Sequence, residues 1–307
     1  MSATPAWPGY LADPFVQRMT GGYLAIGTED PAPEAGDLFP LLFSPDLREW
    51  RAAGRALRRP VPELGDAFWA PEIVERDGSW WLYYSAGRGI DGHRIRVARA
   101  TTASGPYDDL GIELTPHDTF AIDAHPFRDD DGSWYLYFAR DVLDAERVGT
   151  HLAVARMASP VELADEPVSA LEPFADWQLY ERARRMYGRT FDWHTLEGPS
   201  VVRRHGRYWM TFSGGAWTGE GYRVSWAVAD HPLGPWTPAP ADAPPLLASG
   251  HGLVGPGHNS LTVGPDGSDV IVFHSWDARR TARRMHLARI SFEPDGPRVT
   301  DPPGDRP

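Results

Sequence analysis

Leu196-Glu197-Gly198-Pro199-Ser200, followed by Gly206-Arg207-Tyr208-Trp209-Met210-Thr211-Phe212-Ser213-Gly214, sets one acidic residue at the lip of an apolar run and opens an aromatic strand after a glycine turn. The same arrangement occurs five times. Gly22, Gly78, Gly132, Gly206 and Gly267 each stand nine residues after Asp13, Trp69, Asp123, Glu197 and His258 respectively. Apolar runs follow each glycine, among them Trp80-Trp81-Leu82-Tyr83-Tyr84 and Val270-Ile271-Val272-Phe273. Each unit therefore reads as strand, tight turn, strand: a β-hairpin.

Third strands follow in Ile95-Arg96-Val97-Ala98, His151-Leu152-Ala153-Val154 and Val224-Ser225-Trp226-Ala227. The turns Gly105-Pro106-Tyr107 and Gly234-Pro235-Trp236 then lead toward a fourth. The reference positions are separated by 56, 54, 74 and 61 residues. Four short strands per unit at that spacing predict an all-β fold, a five-bladed β-propeller with four-stranded antiparallel blades around a central channel. It is expected to be a single domain over 1–307, with blades at roughly 1–65, 66–115, 116–190, 191–245 and 246–300. The long third interval holds residues 160–189, helix-compatible over 177–186, and reads either as a surface excursion or as a wall of a cleft.

Composition narrows the chemistry. A net charge of −12 argues against nucleic acid or an anionic membrane as partner. There is no lysine, which excludes Schiff-base chemistry and a phosphate-cradling P-loop, and no cysteine, which excludes thiol nucleophiles and cysteine zinc sites. Met1 to Tyr10 lacks the basic and apolar regions of a signal peptide, so the expectation is a cytoplasmic protein, or a secreted one if the sequence has been trimmed. Thirteen Trp, eleven Tyr and twelve Phe suit both strand cores and the stacking walls of a carbohydrate cleft.

In a propeller the innermost strands line the channel, so matching positions on them form a ring. Here the ring would hold Asp13, Asp123 and Glu197 with Trp69 and His258. Clustered carboxylates repel and raise one another's pKa, a cost that a purely structural ring leaves unexplained. Carboxylates flanked by aromatic walls are what glycoside hydrolysis uses, one as proton donor and one as base or nucleophile.

At this point the chain resembles the family 43 glycoside hydrolases. The matching pieces are Ala12-Asp13-Pro14-Phe15-Val16, Trp69-Ala70-Pro71-Glu72, Ala121-Ile122-Asp123-Ala124, Glu197-Gly198-Pro199, Gly257-His258-Asn259-Ser260 and Arg283-Arg284-Met285. The resemblance implies an inverting glycosidase with Asp13 as general base, Glu197 as general acid, and Asp123 orienting that acid and tuning its pKa. A water must then fit between base and sugar, for which a carboxyl separation of roughly 6.5–9.5 Å is expected. It also implies substrate contacts from Trp69, His258 and Arg283, with Arg284 as the alternative register. No cofactor is required, although His258 could help hold a calcium or other ion in the channel through water.

The expected activity is exo-acting release of pentose units from short oligosaccharides, as an α-L-arabinofuranosidase or β-D-xylosidase. The missing signal segment favours exo action on imported substrates. An endo-arabinanase, a galactofuranosidase and a non-catalytic carbohydrate-binding propeller are the alternatives. Glu72, three residues past the ring position, reads as structural. Gly250-His251-Gly252-Leu253-Val254-Gly255 fits a dinucleotide fingerprint on paper but leads into a β-run rather than a helix. His125, His194, His251 and His274 show no zinc-protease spacing.

Overall fold

A computed structural model describes residues 4–240 and 242–300. Blade I consists of β1 (Ala12–Met19), β2 (Gly22–Thr28), β3 (Leu38–Ser44) and β4 (Arg51–Leu57). Blade II is β5 (Ala67–Arg76), β6 (Ser79–Arg88), β7 (Asp91–Ala100) and β8 (Asp108–Glu113). Blade III contains β9 (Ala121–Arg128), β10 (Trp134–Val142) and β11 (Gly149–Ser159), with the short β12 (Glu162–Leu163) and β13 (Val168–Leu171) both on β11. Blade IV has β14 (Leu179–Met186), β15 (Arg189–Arg204), β16 (Arg207–Gly214), β17 (Arg223–Ala229) and β18 (Thr237–Pro238). Blade V is β19 (Gly257–Val263), β20 (Asp269–Trp276), β21 (Arg283–Glu293) and β22 (Gly296–Val299). This is the five-bladed antiparallel architecture that the repeats predict. No helix among the described residues is long and apolar enough to cross a membrane.

The core is divided into five clusters, each lying between two neighbouring blades. Strand alternation produces this division. On β6, Leu82 and Tyr84 pack toward blade I while Trp81 and Tyr83 pack toward blade III. On β10, Leu136 and Phe138 face blade II while Tyr135 and Tyr137 face blade IV. A middle strand is thus buried on both faces, which is why these segments read as continuous apolar runs.

Residues 177–186 are not helical. After a single 3₁₀ turn at Asp176–Gln178 they form β14, paired with the start of β15. The Tyr187-Gly188 turn has φ of 53° and 72°, the all-positive backbone of a two-residue hairpin. That turn overrides the helix propensity of Glu181, Ala183 and the neighbouring arginines. Gly149 and Thr150 on β11 then pair in parallel with His194 and Thr195, which joins blades III and IV in one sheet.

Each innermost strand is broken by a bulge, where two residues oppose one: 13–14, 70–71, 123–124, 198–199 and 258–259. The first residue of every pair has positive φ: Asp13 48°, Ala70 47°, Asp123 63°, Gly198 57° and His258 44°. This equivalence corrects the nine-residue register. Trp69 and Glu197 stand one position before their bulges, so they match Ala12, Ile122 and Gly257 rather than Asp13, Asp123 and His258. The glycine turns mislead because the glycine does not hold one place in the hairpin: Gly78 and Gly206 end two-residue loops, Gly22 is already the first residue of its second strand, and Gly132 and Gly267 lie within five-residue loops.

A bulge removes its first residue from the ladder and leaves a buried N–H to be satisfied. The preceding blade supplies the acceptor. Ala70 donates to Thr28 Oγ1 at 2.8 Å, Asp123 to Ser85 Oγ at 3.0 Å and His258 to Ser213 Oγ at 2.7 Å. Asp13 closes the ring by donating to His274 Nδ1 at 3.0 Å. Blade III has Ala139 at this position, and Gly198 donates instead to Asp123 Oδ2 at 2.9 Å. Ser85→Ala is expected to lower unfolding free energy by about 1–3 kcal/mol, the cost of a buried unpaired N–H. Chemical denaturation should show this loss against a change within about 0.5 kcal/mol for the exposed Ser104→Ala; equal effects would contradict the assignment.

Candidate active site

The bulges aim Asp13, Asp123 and His258 into the channel, and the preceding residues of two other blades add Trp69 and Glu197. All five line one cavity of about 290 Å³, together with Arg283. Arg284 turns away to Asp277, at 3.2 Å, and Arg283 is the one of the two arginines that lines the cavity. Gly198 is needed where it stands, since a Cβ there would come within 3.2 Å of the His258 ring at positive φ.

Asp13 is the most strongly held anion. Its Oδ1 lies 3.3 Å from Arg283 Nη1 and 3.4 Å from His258 Nδ1. Burial alone pushes its pKa up; Arg283 first and His258 next reverse this and hold it well below the usual carboxylate range. His274 Nδ1 is 3.2 Å from the same oxygen but already accepts the Asp13 N–H, so its ring proton sits on Nε2. Burial pushes the His274 pKa down to about 4, which keeps the ring neutral. Arg283 is itself fixed by Tyr10 Oη at 3.2 Å and by the Trp217 ring at 4.5 Å.

Glu197 lies in the opposite regime. Burial, and then the neighbouring charge of Asp123, pushes its pKa up to about 7. The phenol of the fully buried Tyr222 donates to its Oε1 at 2.5 Å. Gly257 leaves room for that phenol: any Cβ there would overlap the Tyr222 ring. Asp123 is pushed up to about 6, chiefly by burial, with His258 and the Gly198 N–H opposing. His258 Nδ1 stands 3.4 Å from Asp13 and 3.9 Å from Asp123. Burial would lower its pKa, but Asp13, then Asp123 and Glu197, raise it above the ordinary value.

The His258 environment bears on the expected ion. Among the described residues no three His, Cys, Asp or Glu side chains are placed to hold a metal. His258 faces two carboxylates as an imidazolium would, and a protonated ring has no lone pair to offer, so the arrangement does not fit direct coordination.

Trp69 walls the cavity, stacked on His93 with centroids 3.7 Å apart. Glu72 is structural: it accepts from His125 Nδ1 at 2.8 Å, while His125 Nε2 accepts the Val201 N–H at 3.0 Å. The hairpin of β14 and β15 also reaches the cavity, through Tyr180, Arg184, Met186 and Trp193, so residues 160–189 include a cleft wall. Sequence reasoning missed Tyr222, His274 and these wall residues. A signal for His274 was present: Thr28, Ser85, Ser213 and His274 are all polar residues closing otherwise apolar second strands. Nothing in the spacing marks Tyr222.

Comparison with known proteins identifies the family. Residues 2–297 match the family described as Glycosyl hydrolases family 43. The chain is 32% identical to the β-D-galactofuranosidase xynD of Aspergillus niger, over 94% of this chain and 81% of that protein. It is 27% identical to an extracellular exo-α-(1→5)-L-arabinofuranosidase of Streptomyces avermitilis, over 93% of this chain but only 60% of that protein's length. Among solved structures, a thermostable family-43 glycoside hydrolase superposes with a TM-score of 0.84 at 28% identity, covering 100% of this chain and 98% of that one. The chain is thus related to several pentose-releasing glycosidases, with no single activity marked out.

The Tyr222 phenol favours the ionised form of Glu197. Tyr222→Phe is therefore expected to raise the Glu197 pKa above about 7, read by titrating the carboxyl signal in infrared or ¹³C spectra. A lowered or unchanged value would contradict the assigned hydrogen bond.

Proposed function

Because the chain belongs to glycosyl hydrolase family 43, and is an enzyme that hydrolyses O-glycosyl bonds, we propose that Asp13, Asp123 and Glu197 carry an inverting displacement that releases pentose units from oligosaccharides. The observation behind this reading is the divergence of proton affinities within one cavity, Asp13 well below and Glu197 well above the ordinary carboxylate. Two titratable groups driven apart in this way are suited to opposite halves of acid–base catalysis.

Ionised at neutral pH, Asp13 takes a proton from a water that attacks the anomeric carbon. Glu197 gives its proton to the leaving oxygen as that bond breaks. Asp123 supplies the neighbouring charge that keeps Glu197 protonated, and its bond from the Gly198 N–H fixes the backbone beside the acid. Arg283 and His258 keep Asp13 ionised, and Trp69 offers an apolar face for the sugar.

An arabinofuranosidase or xylosidase acting at chain ends fits a cavity of about 290 Å³, at the lower end of the range for small-ligand sites. The relationship to an exo-arabinofuranosidase supports the same reading. A galactofuranosidase activity is the second reading, favoured by 32% identity to one over 94% of this chain.

The test is a panel of aryl α-L-arabinofuranosides, β-D-xylosides and β-D-galactofuranosides, with the product anomer followed by NMR. Wild type should cleave a pentoside with inversion. Asp13→Asn and Glu197→Gln should each lose about 10²–10⁴-fold in kcat/KM. Glu197→Gln should change the melting temperature little, whereas Asp13→Asn, which leaves the buried Arg283 without its carboxylate, should also lower it. Retention of configuration, or full activity in both variants, would overturn the assignment.

The pH profile gives a second check. Activity requires Asp13 ionised and Glu197 protonated. The value of kcat/KM should hold through the mildly acid range, because Asp13 keeps its charge well below the usual carboxylate range, and should fall on the alkaline side as Glu197 loses its proton near about 7. Asp123→Asn removes the charge that, after burial, raises Glu197. Its alkaline limb should therefore move to lower pH; a limb that stays in place would show that Asp123 does not tune the acid.

A further inference from the structure

Trp193, Thr195 and Glu197 occupy alternate positions of β15, and all three line the cavity. Alternation puts them on one face of the strand, in a row leading away from Glu197. In the reading above Glu197 protonates the leaving oxygen, so the departing group lies on Glu197's side of the scissile bond, along this row.

Blade III meets the row from the side. Thr150 pairs with Thr195 across the parallel bridge, and Asp141 pairs with Thr150 in the next ladder. The Asp141 carboxylate is held by two hydroxyls: Thr150 Oγ1 donates to Oδ1 at 2.9 Å and Tyr187 Oη to Oδ2 at 2.6 Å. Asp141 and Thr150 both line the cavity. Arg184 lines it too, its guanidinium packed against Tyr180 at 4.6 Å and Trp193 at 5.5 Å.

The acid–base chemistry uses none of these groups. Among the described residues Asp141 makes no ion pair, although burial pushes its pKa up to about 6. Two hydroxyl donors fix the orientation of its carboxylate, and each oxygen keeps a lone pair for another donor. A carboxylate held in this way is a receptor for neighbouring sugar hydroxyls, and a guanidinium clamped by two rings supplies donors at a fixed place.

We propose that Asp141 and Arg184 form a subsite for the sugar on the leaving-group side, so that the enzyme selects a glycosyl leaving group over an aryl one. The proposal rests on the assignment of Glu197 as proton donor. It gives the β14–β15 hairpin a role, since Tyr187 at its tip orients Asp141 and Arg184 on its first strand completes the subsite.

The experiment compares kcat/KM for a disaccharide and for the matching 4-nitrophenyl glycoside, using α-1,5-arabinobiose and xylobiose as disaccharides. Wild type, Asp141→Asn and Tyr187→Phe are measured, and the result is the ratio of the two constants, from which the fraction of folded enzyme cancels. Asp141→Asn should lower the ratio about ten-fold or more, mainly through KM, as expected for loss of a hydrogen bond to a charged acceptor. Tyr187→Phe should shift it the same way by less. A ratio that stays within two-fold of wild type in Asp141→Asn overturns the subsite, even if both constants fall together. Wild type that cleaves no pentoside would count instead against the pentose reading. The ratio would then be measured on galactofuranosyl substrates, where a ten-fold fall supports the subsite and a change within two-fold overturns it.

Discussion

The hydrogen bond from each bulge N–H to the preceding blade is the constraint on which the rest of the molecule depends. Five inner strands converge on one channel, and each carries a left-handed residue at its bulge, which in blades I, III and V turns Asp13, Asp123 and His258 inward. The turn frees an N–H that must be satisfied away from water. Four of the five acceptors are Thr28, Ser85, Ser213 and His274, side chains at corresponding positions of the second strands. Blade III breaks the pattern with Ala139, and there a functional carboxylate, Asp123, takes the structural bond. Asp123 therefore positions the backbone beside Glu197 and acts electrostatically on Glu197 itself.

Charge in the cavity is distributed unevenly by the same geometry. Arg283 and His258 gather on Asp13, whereas Glu197 has a phenol and the anionic side of the ring for neighbours. Three carboxyls of ordinary intrinsic acidity become one firm anion, one held acid and one intermediate group. Burial is the largest influence on all three, but only Asp13 has an arginine against it to reverse the effect. The ring charges outside Asp13 are balanced largely through His258, which lies between the two aspartates.

Much of this is legible in the sequence because propeller strands repeat with the same polarity at the same place. The aromatic runs behind Gly78, Gly132 and Gly206 predict the middle strands, and the acids before them predict the ring. The glycine register is off by one residue in two blades, since the glycine falls inside the hairpin loop in some blades and on the following strand in another. Residues 179–186 form a strand where local propensity favours a helix, because a hairpin turn and long-range pairing outweigh it. Tyr222 lies beyond the reach of the sequence for a different reason. It enters the site from the segment before β17, and its meaning depends on the space left by Gly257, a three-dimensional fact with no periodic trace.

Among the described residues the assigned strands of each blade come from one stretch of chain, β1 opening blade I and β22 closing blade V. The segment before β1 crosses to blade V, where the Ala6 and Leu11 N–H groups donate to the Met285 and Arg283 carbonyls of β21. The junction between blades I and V is held by a small apolar cluster, by Ser260 Oγ donating to the Pro14 carbonyl, and by His274 and Arg283 against Asp13. Asp13 is thus at once the clasp of the circle and the group assigned to activate water. Under that assignment water is activated only while the first and last blades are in contact, and hydrolysis reports that the circle is shut.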